Sequence, residues 1–505
     1  MANDIHATTN ISSLKKQGDY LIFAIPIKLD TLDPILSINA HSKFTLPLIF
    51  EPLITLNPQQ ELQPVLAKSW SINSDNKTIT VTLNQGHRFS DGTEATSTDV
   101  VNSIYRLCGA KSQESDQLSG LVNCHEFAKN NKLTPKVYSD GKYKVKFHIN
   151  SSPTTFLFQL SSPSSVVIKE TSHGLIGSGP YLNHQKKADY LILNKNHFYS
   201  GNISVKNNGI ILFTVEGRNI FNSVMKNHPD GALMYRWVSL WNFKNPNYTS
   251  INTNPNITEI LVLNNQKFPF NNKLVRQALS SELYNHFNYS CIPGAHKAYG
   301  IIPNGVGGSI SNLAPPILPS VEPEKLFTEF PQLKNEKLKV IIHQLLDTKN
   351  SCEAEQITKS GKKYNIDIQF KYHKDYSDLL PLYMNHHLDA FIDLYIFKNR
   401  ESNNIFDFFS LHGENDANIN NDYIDQTLKA AMETPSSHAR FQLYHKIAKY
   451  IQDENIIIPM FYMDHINLMN KCLIGISNNF IFNPFSELPN ISKLNNCNQE
   501  ASHAG

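Results

Sequence analysis

The sequence predicts an α/β protein of at least two domains, and three observations carry that expectation. A chain of 505 residues exceeds the size at which a single apolar core goes on growing. Apolar runs with a two-residue period alternate along it with stripes of helical spacing. Residues 62–107 then join a strand hairpin, a polar turn and a capped helix in one package from which the rest can be placed.

In LQPVLAKSWSINSDNKTITVTLNQGHRFSDGTEATSTDVVNSIYRL, an apolar segment ending in Trp70 turns at Ser74-Asp75-Asn76-Lys77. Ile79, Val81 and Leu83 then alternate with Thr80, Thr82 and Asn84, which predicts an antiparallel hairpin with one buried face. A tight turn falls at Ser90-Asp91-Gly92-Thr93. Thr96 and Asp99 have capping-box spacing ahead of Val100, Ile104 and Leu107, the stripe of a helix.

Upstream, YLIFAIPI at 20–27 reads as a strand, and FTLPLIFEPLITL as a helix interrupted near Pro47 with a short strand after Pro52. Residues 126–149 repeat the hairpin pattern around Asp140-Gly141-Lys142, and TTFLFQLSSP reads as a short helix ending before Pro163. Ile176–Leu182, IGSGPYL, lacks the third glycine and the following helix that a dinucleotide-binding loop needs. Strands are expected within 190–200 and 203–215, a helix at NIFNSVMKNH, and strands at GALMYRWV and ITEILVL, the last before a helix over 273–283.

The proline- and glycine-rich stretch 300–332 is too irregular for long elements but is compatible with an ordered cleft-lining segment. Strands follow at 338–346, 364–373 and 389–397, with a helix between the first two. Helical stripes follow at 423–432 and 437–453. The apolar run 456–463 reads as a strand crossing back toward the first part of the chain.

Composition excludes several classes. Forty per cent hydrophobic and 18% charged residues describe an ordinary globular chain. A formal charge of +2 with scattered lysine and arginine argues against a nucleic-acid partner. No run of 18 or more apolar residues predicts a membrane span, and ATTNISSLKKQGDYL lacks the apolar core of a signal peptide. Of the six cysteines, Cys108 and Cys124 bracket a polar segment that a disulfide would close, with reduced buried thiols as the alternative.

The package at 62–107, read as PVLAKSW followed by FSDGTEATSTDVVNSIYR, resembles the signature region of the family 5 extracellular solute-binding proteins. Leu32-Asp33-Pro34, Glu51-Pro52-Leu53, IGSGPYL, LNKNHFY at 193–199, LVLNNQKFPFNNKLVRQAL at 261–279 and IIIPMFY at 456–462 follow in that family's order. The resemblance implies a two-lobed, periplasmic-binding-protein type II-like α/β fold with an additional peripheral α+β subdomain. Residues 19–45, 178–255 and 468–500 would form the first lobe, 46–177 the peripheral subdomain inserted in it, and 256–467 the second lobe, with crossings near 255–270 and 460–470 acting as a hinge.

It further implies an extracytoplasmic, periplasmic receptor of an ABC importer, a mature form whose targeting segment has been removed. Its partners would be a peptide or other small-molecule ligand and the transmembrane permease subunits, with the receptor itself a monomer. A nickel- or haem-binding transport receptor and a non-transport interaction or sensory domain are the alternatives. No cofactor is expected.

No G-x-S-x-G elbow, H-E-x-x-H pair, P-loop or C-x-x-C supports an enzyme. The His386-His387 doublet makes a poor clamp because adjacent side chains diverge, so no metal site is expected. In peptide-binding members an acidic residue just beyond the strand corresponding to 389–397 often holds the ligand's amino group. Here that region reads LYIFKNRESNNIFDFF, with Ile396 or Phe397 in place of the family's tryptophan. The candidate ligand residues are therefore Arg400, which would suit an anionic or blocked ligand as Lys398 would, and Glu401 or Asp407, which would hold an amine. Tyr235, Trp237 and Trp241 form the other candidate wall, through aromatic stacking.

Overall fold

The structure, a computed structural model, describes residues 20–494 apart from 27, 38–39, 58–60, 111–117, 119, 125, 128–132, 188, 216–222, 224–225, 227, 237–243, 253–256, 293, 311–318, 336, 346–350, 374–377, 380, 383–384, 398–401, 403–404, 407, 412, 435, 464 and 478–483. The chain divides into two compact units. The first comprises Met1–Tyr235, Asn242–Asn252 and Ile466–Gly505, and the second Arg236–Trp241 and Thr253–His465.

The first unit is built on a seven-stranded mixed sheet in the order Tyr181–Lys186, Tyr190–Lys195, Gly209–Thr214, Tyr20–Ile25, Gly231–Arg236, His465–Asn470, Tyr248–Asn252. The N-terminal strand Tyr20–Ile25 is buried at every position but the first, because parallel neighbours flank it on both sides and both faces are covered. The strand His465–Asn470, from the far end of the chain, pairs antiparallel with Tyr248–Asn252.

A four-stranded antiparallel sheet in the same unit, in the order Ala67–Ile72, Thr78–Leu83, Lys144–His148, Val137–Ser139, contains the two predicted hairpins. Ile79, Val81 and Leu83 are buried as their alternation requires, and together with Val145, Phe147, Phe156 and the helix Ser97–Cys108 they share a core. That helix starts as predicted: the Thr96 backbone N–H donates to the Asp99 carboxylate at 2.8 Å and the Thr96 hydroxyl at 2.6 Å. Full burial of side chains such as Val81 and Phe147 contributes roughly 1.5–3 kcal/mol each.

Two family landmarks meet here. The Arg106 guanidinium, at the helix end, grips both oxygens of Asp33 at 2.8 and 2.6 Å and turns its Nε to Glu170 at 2.8 Å. The glycines of IGSGPYL serve close approach: a Cβ on Gly177 would stand 2.2 Å from the Ile49 carbonyl oxygen, and one on Gly179 2.6 Å from its carbonyl carbon. Gly179 instead donates its N–H to that oxygen at 2.9 Å. The segment is a structural turn, not a phosphate loop.

The second unit centres on a six-stranded mixed sheet in the order Ala295–Lys297, Ile457–Met463, Ile257–Leu263, Ala390–Ile396, Leu338–Leu345, Ile366–His373. All seven residues of Ile257–Leu263 are buried, with Leu261 and Leu263 facing one apolar core and Ile260 and Val262 the other. The predicted crossing strand 456–463 does not return to the first unit: Ile457–Met463 stays in this sheet, paired on both sides, and the next strand makes the return. Its Pro459 sits at a bulge, where Glu259 and Ile260 oppose Phe461 and Pro459, so the missing N–H costs no regular ladder bond.

The irregular stretch after residue 300 is ordered where described, and it runs into two short helices, Pro323–Glu329 and Pro331–Asn335. The Tyr462 hydroxyl lies within hydrogen-bonding distance of the Gly300 and Ile302 carbonyls, and Thr258 donates to Ile301 at 2.8 Å.

Disulfides join Cys108 to Cys124, as the sequence suggested, and Cys291 to Cys352, which it did not; Cys472 is also disulfide-bonded. Among the described residues no helix is long and apolar enough to cross a membrane.

Candidate functional site

The sequence-predicted ligand residues fall largely outside the described residues. Tyr235 lies on the backbone of Gly231–Arg236 in the first unit's sheet, but its side chain is outside the described set, as are Trp237, Trp241, Arg400, Glu401 and Asp407. The helix expected at NIFNSVMKNH also lies mainly outside it.

Several residues around and within 398–407 are described, all in the second unit. Phe397 is buried where the strand Ala390–Ile396 ends. Ser402, 1% exposed, donates its hydroxyl to the Gly307 carbonyl at 2.6 Å. Ile405, Phe406 and Phe409 are buried in the same core as Phe397.

Near these residues lie carboxylates that the sequence reading missed. Glu259 is 3% exposed on the central strand. Asp393 lies on the neighbouring strand, where its carboxylate accepts the Leu394 N–H at 2.7 Å. Asp416, 6% exposed, accepts the Tyr395 hydroxyl at 2.8 Å, while its second oxygen, Oδ1, is buried without a hydrogen-bond partner. Burial pushes the Asp393 carboxyl up to about 7, with Glu414 and Glu259 adding repulsion. Burial likewise pushes Asp416 up to about 8, with Asp393 and Glu414 adding to it against the Tyr395 bond.

Ionised, Asp393, Asp416 and Glu414 would repel one another, and a positive charge placed nearby would relieve that repulsion. The signal was present in the sequence: Glu259 interrupts ITEILVL and Asp393 interrupts AFIDLYI, each a charge amid an otherwise apolar strand.

Among the described residues no three or more His, Cys, Asp or Glu side chains are grouped so as to hold a metal ion. The His386-His387 doublet serves a turn: His386 has φ 53°, its carbonyl accepts from Asn264 at 3.0 Å, and the His387 carbonyl accepts from Lys267 at 3.2 Å.

Comparison with known proteins adds the following. Residues 61–416, well over half the chain, match the model described as bacterial extracellular solute-binding proteins, family 5 Middle. The chain is 22% identical over 497 residues to the dipeptide-binding protein DppE of Bacillus subtilis, covering 88% of this chain and 87% of that one. It is 26% identical over 275 residues to the nickel-binding periplasmic protein of Escherichia coli, about half of each chain (52% and 51%).

Among solved structures, it superposes with a TM-score of 0.76 and 18% identity on the periplasmic binding protein DppA of Helicobacter pylori in complex with the peptide STSA, covering 95% of this chain and 99% of that one. The dipeptide-binding protein of Pseudoalteromonas sp. SM9913 in complex with Met-Leu gives 0.75 at 17% identity, covering 94% and 100%. The fold is that of these two-lobed periplasmic binding proteins.

Proposed function

This chain belongs to the bacterial extracellular solute-binding proteins, family 5, and on that premise we propose that it captures short peptides in the periplasm and delivers them to the transmembrane subunits of an ABC importer. The family is one of solute-binding proteins, so the chain is a receptor and not an enzyme. The observation that carries the peptide assignment is likeness over nearly the whole chain to a dipeptide-binding relative and to two binding proteins solved with peptides.

The second unit supplies a chemical reason. An extended peptide presents an ammonium at one end, and acids meet it through charge-assisted hydrogen bonds. Glu401 or Asp407 takes the amino group, supported by the field of Glu259, Asp393 and Asp416. Lys398 or Arg400 takes the carboxylate end, and Tyr235, Trp237 and Trp241 stack along the ligand. Residues 46–177 form a peripheral subdomain of the first unit, and ligand capture proceeds with hinge closure.

Calorimetry with Met-Leu and with its N-acetylated form tests this reading. Saturable binding of the free dipeptide, at least tenfold weaker for the acetylated form and for Asp407→Asn or Glu401→Gln, supports it. Solution scattering should then give a smaller radius of gyration with the dipeptide than without. Failure of a broad mixture of di- to tetrapeptides, together with binding of a nickel–histidine complex, would replace the peptide by another solute.

A further inference from the structure

We propose that the first unit carries a second small-molecule site, a recess beside the start of strand Ala67–Ile72, whose ligand is a neutral polyhydroxylated molecule of mono- to disaccharide size. The recess has a volume of about 430 Å³, within the range of roughly 300–1,000 Å³ typical of ligand sites. Its walls come from the beginning of that strand, the turn at residues 84–87 and the loop 199–203, all within one unit. None of them belongs to the acidic group of the second unit.

The floor is polar and buried. Glu51 and His87, 6% and 4% exposed, bring Oε2 and Nε2 within 2.6 Å of each other. The Tyr199 hydroxyl stands beside the same carboxylate, and burial together with the Glu51 charge raises its pKa. A hydrogen-bonded pair of this kind, opening onto a cavity, supplies a fixed acceptor with an adjacent imidazole.

Burial selects a neutral ligand. Glu51 and His87 already engage each other, and Lys68 is solvated at the rim, so an ionic group would be desolvated at depth with no free partner to repay it. The walls select hydroxyl groups. Gln85, Ser200 and Asn202 each offer both donors and acceptors, as a sugar hydroxyl does. Asn84 commits its Nδ2 to the Val65 and Ala67 carbonyls at 2.9 and 3.3 Å, which leaves its oxygen as the group available to a donor. Val65 and Ile203 give apolar surface for the C–H face of a ring.

Saturation-transfer difference NMR on the full chain, with D-glucose, N-acetyl-D-glucosamine and maltose each at millimolar concentration, tests the proposal. At least one should receive saturation, and should keep it after the protein is saturated with Met-Leu. Gln85→Trp and Ser200→Trp, at exposed rim positions, should each weaken that sugar at least tenfold while leaving the thermal midpoint and Met-Leu binding unchanged. Glu51→Gln should weaken it as well, with the rim variants deciding the matter if that buried change impairs folding. Absence of transfer from all three sugars, transfer that survives both tryptophan substitutions, or displacement of the sugar by Met-Leu would overturn the second site without touching the peptide reading.

Discussion

Nδ1 of His343 lies 2.8 Å from Nε2 of His373, across the two parallel strands Leu338–Leu345 and Ile366–His373, with the rings stacked at a centroid separation of 5.0 Å. Both residues are buried, at 7% and 8% exposure. One ring must donate and the other accept, so the contact requires at least one neutral imidazole.

This pair should make the protein acid-sensitive. The His343 pKa is lowered to about 4, first by burial, then by His373 and Lys371, with Asp389 opposing and Lys267 adding a small push. A histidine whose folded value lies below its unfolded value of about 6.5 takes up its proton preferentially in the unfolded chain. Its contribution is therefore complete above about pH 6.5 and is lost as pH falls from there toward 4. At about 1.4 kcal/mol per pKa unit the ceiling is roughly 3 kcal/mol. Urea denaturation between pH 7 and 4.5 should give a shallower loss of stability for His343→Leu than for the parent; parallel curves would show that the pair does not titrate as described.

The acidic group should act in the opposite sense. Asp393 and Asp416 hold their protons more tightly when folded, so their contribution is greatest at low pH and is lost as pH rises from about 4 through about 7 to 8. Asp416→Asn keeps an acceptor for Tyr395 and should be more stable than the parent at pH 8.5, by roughly 1–3 kcal/mol, with the gap closing at pH 5. The same substitution should weaken binding of an amine-bearing ligand. Stability gained at the expense of affinity is the expected mark of a functional site.

Cleaving the disulfides should destabilise each unit separately. Cys108–Cys124 spans 16 residues and Cys291–Cys352 spans 61, and loops of these lengths are worth about 3 and 4 kcal/mol in a chain-entropy picture. Cys108→Ser/Cys124→Ser should lower the melting transition of the first unit, and Cys291→Ser/Cys352→Ser that of the second. Scanning calorimetry of both variants, with hydrogen exchange to locate the change, checks the assignment.

Arg106 offers a test of geometry against charge. Its planar guanidinium meets Asp33 through two hydrogen bonds and Glu170 through a third, and a lysine ammonium cannot reproduce that fork. Arg106→Lys should therefore cost about 1–2 kcal/mol, most of the loss seen in Arg106→Ala. If the lysine variant matches the parent in denaturant, the contact is a screened surface pair of little weight.

Local pattern made the hairpins and the capped helix legible, because each is specified by residues within about twenty positions of one another. Thr96 and Asp99 announce their helix three residues apart, and Cys108–Cys124 closes a loop visible on the page. Cys291–Cys352 was not legible, since its 61-residue separation carries no signal until a sheet and two helices bring the thiols together. The same holds for Glu259, Asp393 and Asp416: they sit on two strands and a later segment, and only strand pairing makes them electrostatic neighbours. The return strand was misplaced by one element because Ile457–Met463 is the conspicuous apolar run, whereas His465–Asn470 mixes His465, Asn467 and Asn470 with Ile466, Leu468 and Met469, and hydrophobicity alone does not say which sheet a run will join.

The position of His465–Asn470 between Gly231–Arg236 and Tyr248–Asn252 sets an order of events in time. Both flanking strands leave the ribosome more than two hundred residues before the one that separates them, so the first sheet stays open along that edge until synthesis is nearly over. The second unit's six strands all lie between residues 257 and 463, and that sheet is complete one strand earlier. The chain thus finishes its younger half before it can seal its older one, which leaves the open sheet edge as the surface most exposed to mispairing during biosynthesis.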